Sequence, residues 1–262
     1  MNNFDVVLVE EISMIPLDLW KIIYELKVST GKNFILVGDS GQLPPVDNTS
    51  FDIFKSPLLG YLTEYNSVEL NVRKRYDKDL WDYSESFRAN GKPSVLLPQR
   101  GATATSEGKK ICYFNRTRKH INHECNKTVK GVFIPVKPDD SKYAQDAILA
   151  VGVPVICDVT NTEIDIVKNE MMEISEIDNE TVSFLRERDG VIDTITDDIE
   201  KFHKRYLLGY CVTIHKSQGD TIQGRLNIYD WNYVKKYERV AYTAVTRSTA
   251  LKNIYVGNIY LG

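Results

Sequence analysis

The sequence predicts an α/β protein, with parallel sheets flanked by helices and one small β-rich insertion. Three observations carry this. "FDVVLV" (residues 4–9) and "NFILVGD" (33–39) are continuous apolar runs, as expected of strands buried on both faces of a parallel sheet. A helical pattern separates them, so strand, helix and strand follow at the spacing of a parallel crossover. From Ala147 to about Thr196, short β-like runs alternate with Asn- and Asp-rich turns.

The elements follow in order. Pro16 opens a helix over 16–27, with Leu17, Leu19, Trp20, Ile23 and Leu26 as its apolar positions. Residues 78–90 read as a helix stopped by Gly91 and Pro93. "KKICYF" (109–114) reads as a strand. Asn115 is placed to cap the helix "RTRKHINHECNK", which has Ile121 and Cys125 on one face. "VPVICDV", "IDIVKN", "MMEISEI" and "ETVSFL" are the β-like runs of the insertion. The α/β texture returns with "LLGYCVTIH" (207–215), a helix after Gln218, a helix through "RVAYTAVTRS" (239–248) and a last strand, "NIYVGN".

The net charge of −3 argues against a nucleic-acid binder only if it is spread evenly, and it is not. Residues 100–130 hold Arg100, Lys109, Lys110, Arg116, Arg118, Lys119, Lys127 and Lys130 against Glu107 and Glu124. Residues 158–200 hold fourteen Asp/Glu against three Lys/Arg, so this segment should face away from a polyanion or dock a protein. Cys112, Cys125, Cys157 and Cys211 lack zinc spacing and read as reduced thiols. "MNNFD" has neither the basic start nor the apolar run of a signal peptide, and no window has the apolar length of a membrane span. These features predict an intracellular protein, cytoplasmic or nuclear, with no membrane partner.

Four short stretches carry chemistry. Glu10 and Glu11 leave the first strand as adjacent carboxylates. Hydrolysis of a nucleoside triphosphate needs one carboxylate for a divalent ion and one to orient water. On the dipeptide alone, a solvated surface pair is the commoner use. "GDSGQLPPV" (38–46) follows the second strand. Gly38 and Gly41 allow tight backbone turns, Gln42 offers an amide to a γ-phosphate, and Pro44-Pro45 stiffens the exit. "VTIHKSQGDTI" (212–222) sets His215, Lys216, Ser217 and Gln218 before Gly219 at a strand end, a mixture suited to sugar and phosphate contacts. "RVAYTAVTRS" leads to Arg247, a cation suited to transition-state phosphate charge. The first two stretches sit at the carboxyl ends of neighbouring parallel strands, where such sheets bind ligands.

In this order, the stretches resemble superfamily 1 helicases of the Pif-type and RecD-type branch. "VEEISMI" is similar to motif II, "GDSGQLPPV" to motif III, "VELNVRKRYDKDLW" (68–81) to motif IV, "VTIHKSQG" to motif V and "YTAVTRS" to motif VI. "CYFNRTRKHIN" resembles the strand-to-helix element whose start touches single-stranded nucleic acid in these enzymes. The resemblance implies a remnant of a first RecA-like domain over 1–65 and a complete second RecA-like domain over 66–146 and 197–262. It also implies a small Src-homology-3-type barrel over 147–196. The implied substrate is ATP with Mg²⁺, and the implied partner is single-stranded DNA, with RNA open, in replication, repair or recombination. Glu10 would ligate Mg²⁺ and Glu11 would orient water. Gln42, Arg75 (favoured over Arg73 by counting from Leu70) and Arg247 would surround the γ-phosphate, with Gly38, Asp39 and Gly219 in the nucleotide loops. His215, Lys216, Ser217 and Gln218 would couple nucleotide to strand, and Asn115 with Arg118 would line the strand path.

Two departures qualify this. The family usually has Asp where this chain has Glu10. The extra methylene moves the carboxylate by ~1.5 Å against a magnesium–ligand distance of ~2.1 Å. The phosphate loop Gly-x-x-x-x-Gly-Lys-[Ser/Thr] is absent. Gly31-Lys32, Gly91-Lys92 and Gly108-Lys109 precede Asn33, Pro93 and Lys110, and none has a glycine five residues before it. The resemblance therefore implies the C-terminal portion of a helicase, its phosphate loop supplied by a missing N-terminal half or a partner chain. The first sheet should then lack strands and expose an apolar edge. The alternative is a non-catalytic single-strand-binding or regulatory module.

Overall fold

The computed structural model describes residues 4–45, 51–72, 74–90, 99–188 and 190–259. Two compact units emerge, one of residues 1–97 and 235–246, the other of 98–234 and 247–262. Compactness divides the chain elsewhere than the sequence segments do. The helices over 78–90 and 238–245 both fall in the first unit.

The first unit contains β1 (Val6–Val9), α1 (Leu17–Thr30), β2 (Asn33–Leu36), α2 (Pro57–Leu62), α3 (Lys78–Asn90) and, from late in the chain, α7 (Glu238–Val245). β1 and β2 pair in parallel, Val6 with Asn33 through Val9 with Leu36. Pro16 is the N-cap of α1 rather than its first residue, and the helix runs on to Gly31. Gly31 ends it in the left-handed region at φ 64°, its N–H donating to Lys27 O. Trp20 and Ile23 pack with Phe34, Ile53 and Leu62 into the core of this unit, and α7 packs on α3. The expectation of a first strand buried on both faces is overturned. Val7 and Val9 pack inward, but Val6 is 46% and Leu8 58% exposed, with Ile35 and Val37 bare beside them. An apolar run signals two covered faces; among the described residues only one is covered. The expected stop of α3 at Gly91 and Pro93 lies outside the described residues, as does Arg73.

The second unit contains two larger sheets. One is parallel, in the order β12 (Cys211–Thr213), β4 (Lys109–Cys112), β13 (Leu226–Ile228), β14 (Ile254–Val256), β3 (Gln99–Arg100). α4 (Asn115–Asn126) follows β4 and packs on it and on β12, and α6 (Trp231–Val234) follows β13. The other is antiparallel, in the order β10 (Val191–Asp198), β9 (Thr181–Arg188), β8 (Met171–Ile177), β7 (Pro154–Cys157), β11 (Tyr206–Leu208). A short pair, β5 (Val132–Ile134) with β6 (Ala147–Leu149), and a helical turn, α5 (Phe202–Arg205), complete it.

Several expectations change here. The β insertion extends to Leu208, and its described pairings form an open five-stranded sheet. "IDIVKN" is no strand but a turn closed by Asn161 and Ile166, whose amides and carbonyls bond each other. "LLGYCVTIH" splits into β11 in one sheet and β12 in the other. Gly209 marks the crossing, where a Cβ would come within 3.0 Å of the main chain at Pro154 and Val155. The apolar run looked like one strand because both sheets bury it. After Gln218 there is no helix but a turn and an irregular segment.

The insertion pairs part of its acidic load internally. Arg186, with its side chain only 5% exposed, bonds Asp193 at 2.7 Å and Asp165 at 2.8 Å. Arg188 reaches Glu170 at 2.9 Å, and Arg205 reaches the buried Asp197 at 2.6 Å. The Asp193 and Asp165 carboxyls are held below the ordinary carboxylate range, chiefly by the Arg186 hydrogen bonds.

Candidate functional sites in the two units

In the first unit the two loops after β1 and β2 pack closely. Ile12 N donates to Val37 O at 3.2 Å, and Val37 N to Val9 O at 2.8 Å. Gly38 serves this approach rather than a left-handed turn, since a Cβ there would lie 2.4 Å from Ile12 Cγ1. Glu10 is exposed at the end of β1. Glu11 sits in the left-handed region (φ 51°, ψ 43°) at the start of a 3-10 turn over Ile12–Met14. That conformation is costly for a residue with a Cβ and recurs where side chains must be aimed.

The loop carrying Gln42 is fastened to α7. The Tyr242 hydroxyl donates to Asp39 Oδ2 at 2.7 Å, while Asp39 Oδ1 accepts from Gly41 N at 2.8 Å. Leu43 N donates to Thr243 Oγ1 at 3.1 Å. Consecutive residues of α7 thus hold the loop on both sides of Gln42, whose side chain is buried. Arg239 secures the far end through Asp52 at 2.6 Å. Burial pushes the Asp52 carboxyl up, but Arg239 and the Phe54 N–H outweigh it and hold it low. Arg75 donates to Thr246 O at 3.2 Å and stacks over the Tyr76 ring, 4.6 Å from its centroid. Among the described residues no group of three or more His, Cys, Asp or Glu is arranged to hold a metal. Magnesium that keeps water and phosphate oxygens as most of its shell needs only one or two carboxylates, and exposed Glu10 suits that donor set.

In the second unit three adjacent parallel strands, β12, β4 and β13, deliver His215, Tyr113-Phe114 and Asp230 at their carboxyl ends. The Tyr113 ring lies 5.9 Å from His215, 4.6 Å from Tyr233 and 5.1 Å from Phe114. Exposed Arg116 stacks over Phe114 at 5.0 Å. These aromatic rings are half-buried, so their edges and faces partly meet solvent.

The side-chain cap expected at Asn115 is not made; Asp230 instead holds the two residues that lead into the helix. Phe114 is the N-cap residue and makes no side-chain capping bond. Asp230, at φ 58°, accepts from Tyr113 N at 3.1 Å, Phe114 N at 3.0 Å and Thr117 Oγ1 at 2.7 Å. Asn115 instead accepts from Arg118 Nε at 3.1 Å. Arg118 is only 1% exposed and gives Nη2 to Tyr143 O at 2.6 Å, and burial lowers its pKa. Lys119 donates to Ala144 O at 2.7 Å, so the basic stretch keeps Arg116 outward and turns the next two cations inward.

The His-Lys-Ser-Gln turn is likewise built into the fold. Ser217 is fully buried and donates to Ile214 O at 2.9 Å. Lys216 pairs with Asp158 at 2.7 Å, both largely buried. Burial pushes Asp158 up, but hydrogen bonds from Lys216 and Ser141 hold it below the usual range. Burial lowers the pKa of His215. The Gln218 N–H points back to His215 O at 3.4 Å, and exposed Gly219 takes φ 91°. Arg247 is 1% exposed, with Nη1 donating to Asp220 O at 3.2 Å, and its carbonyl accepts from Ile222 N. Asp230, Asp158, Tyr233 and Tyr242 were not anticipated as site residues. Their one sequence signal is position, with Asp230 directly beyond a strand end and Tyr242 within motif VI.

No protein-family model matches the sequence, and no curated protein matches it. Solved structures do. The Pif1 helicase from Bacteroides in complex with ADP-AlF3 and ssDNA superposes with TM-score 0.68 at 17% identity, covering 98% of this chain and 71% of that one. Bacteroides Pif1 bound to ssDNA gives 0.70 at 18%, covering 96% and 70%. The Pif1 helicase from Candida albicans gives 0.65 at 18%, covering 97% and 73%. Across nearly its whole length, this chain is similar in fold to these Pif1 helicase structures.

Proposed function

We propose that the chain is the motif II-to-VI portion of an ATP-dependent DNA helicase, coupling nucleoside triphosphate hydrolysis to movement on single-stranded DNA. The observation that carries this is the fastening of Gln42. A loop suited to sensing a γ-phosphate is held on both flanks by the helix that leads to Arg247. Such a link would pass nucleotide state into helix position. In this reading Glu10 takes Mg²⁺, strained Glu11 aims at the attacking water, and Gln42, Arg75 and Arg247 meet phosphate oxygens. Gly38, Asp39 and Gly219 shape the loops around the nucleotide. One carboxylate, an amide and arginines do not make a phosphate cradle. The cradle comes from polypeptide beyond this sequence, in line with the bare face of β1 and β2 and the uncovered part of the Pif1 chains.

In the second unit, Tyr113, Phe114, Tyr233 and Arg116 give single-stranded DNA a stacking and charge surface. Asn115, His215 and Gln218 lie in the segments beside it. Buried Arg118, Lys216 and Ser217 position those segments rather than touch the strand. This aromatic group favours a second reading, a single-strand-binding module without turnover. The Bacteroides Pif1 structures hold ssDNA, and one holds ADP-AlF3 as well.

Steady-state ATP turnover with and without single-stranded DNA, alongside strand affinity, tests both. The chain alone should bind strand and hydrolyse ATP slowly or not at all. Ordinary helicase turnover would overturn the incomplete site. Absence of strand binding would overturn both readings.

A further inference from the structure

We propose that Tyr143, in the loop between β5 and β6, stacks a base of single-stranded DNA, with Lys142 beside it on the phosphate backbone. This rests on the strand-binding reading above and extends its surface to an element that no sequence motif marks. The loop runs alongside α4. Near the end of the helix Asn126 Nδ2 donates to Ile148 O at 2.8 Å; towards its start Lys119 Nζ donates to Ala144 O at 2.7 Å and Arg118 Nη2 to Tyr143 O at 2.6 Å. The same guanidinium donates through Nε to Asn115 Oδ1 at 3.1 Å, so the Asn115 side chain and the Tyr143 carbonyl lie within about 8 Å of each other. The loop is also fixed to the motif V turn. Ser141 Oγ donates to Asp158 Oδ2 at 2.7 Å, and Asp158 Oδ1 accepts from Lys216 Nζ at 2.7 Å. Lys216 follows His215, whose ring lies 5.9 Å from that of Tyr113. Residues 141–143 are thus tied to both segments that carry the aromatic group.

These bonds hold the main chain and leave two side chains outward. Tyr143 is 36% exposed, Lys142 is exposed, and Lys142 Nζ lies 5.0 Å from the centroid of the Tyr143 ring. Joining two strands does not require a buried arginine on the carbonyl of the connecting loop; holding a ring at a set position does. A ring on a fixed backbone offers its face to a planar ligand with little freedom left to lose. Every base has such a face. The loop's own carboxylates are turned to partners. Asp139 pairs with Lys204 at 2.6 Å, Asp140 accepts the Lys137 N–H at 2.7 Å, and Asp146 accepts the Val136 N–H at 2.9 Å. A strand lying on Tyr113 and Phe114 reaches Tyr143 within a few nucleotides, and this continuity favours DNA over a protein segment.

The test uses the full chain and a fluorescently labelled twelve-nucleotide oligothymidylate. Tyr143→Ala should weaken binding about five- to ten-fold, as for one lost stacking contact, and leave the salt slope unchanged. Tyr143→Leu keeps apolar bulk and should lose as much, whereas Tyr143→Phe should bind as the native chain does. Lys142→Ala should flatten the salt slope by ~0.7. With iodouracil in the strand, ultraviolet light should cross-link it to Tyr143. Arg116→Ala is the control for the underlying reading. A flattened slope in Arg116→Ala beside unchanged affinity in folded Tyr143→Ala would overturn this inference alone. Cross-links at Tyr113 or Phe114 but never at Tyr143 would overturn it too, leaving the loop to a protein partner. No strand binding by the native chain would overturn the underlying reading and this inference with it.

Discussion

The Tyr242 hydroxyl meets the Asp39 carboxylate at 2.7 Å across 203 residues of sequence, and the next residue, Thr243, accepts the Leu43 N–H. A loop that sequence places after the second strand is therefore held by a helix near the end of the chain. Tyr242→Phe and Thr243→Val should each cost about 1 kcal/mol, the worth of one buried hydrogen bond. Hydrogen exchange separates them. Thr243→Val should release the Leu43 amide, whereas Tyr242→Phe should act first at Gly41, whose N–H depends on Asp39 holding its place.

Lys216 and Asp158 form a largely buried pair, so removing one partner strands the other. Lys216→Met should cost about 2 kcal/mol at pH 7. Asp158 titrates below its unfolded value of about 3.9, so its contribution is complete above that value and is lost as pH falls through the folded one. The stability gap between the native chain and Lys216→Met should be constant above about pH 5 and close below about pH 4. Denaturant titrations across that range check it; a gap that persists in acid would assign the loss to packing.

His215 behaves in the opposite sense. Burial makes the folded state resist the proton that the unfolded chain accepts at about pH 6.5, so folding loses stability as pH drops below that point. His215→Gln should remove this limb and flatten the stability profile between about pH 7 and pH 5. Thermal unfolding at matched ionic strength reads the difference.

The exposed and buried arginines of α4 should part company. Arg116→Ala should reduce the slope of log affinity against log salt for single-stranded DNA by ~0.7, one phosphate contact. Arg118→Ala should leave that slope unchanged and cost about 2 kcal/mol of stability, because its bonds go to Asn115 and Tyr143. A slope change on folded Arg118→Ala would return that side chain to the strand.

Asp230 governs the start of α4 from outside the helix. Asp230→Ala frees two backbone N–H groups and the Thr117 hydroxyl, and should cost about 2 kcal/mol. Asp230→Asn should recover part of it, since the amide oxygen still accepts. Equal losses for both variants would point to the left-handed backbone at Asp230 rather than its accepted hydrogen bonds.

Local pattern determined much of this protein. The apolar runs at 6–9 and 33–36 and the helix between them were legible because strand and helix period are properties of neighbouring residues, whereas Gly38 owes its place to the close approach of Ile12. The helix over 78–90 and the strand 171–177 were legible for the same reason. Only the tertiary structure decided which sheet each half of "LLGYCVTIH" joins, which carboxylate holds the entry to α4, and which basic residues turn inward. Those outcomes depend on partners from 25 to 117 residues away, such as Tyr143 for Arg118, Asn122 for Cys211 and Asp230 for Tyr113. Sequence spacing carries no record of such a partner, because a buried hydrogen bond is chosen by whichever group the folded chain brings within about 3 Å.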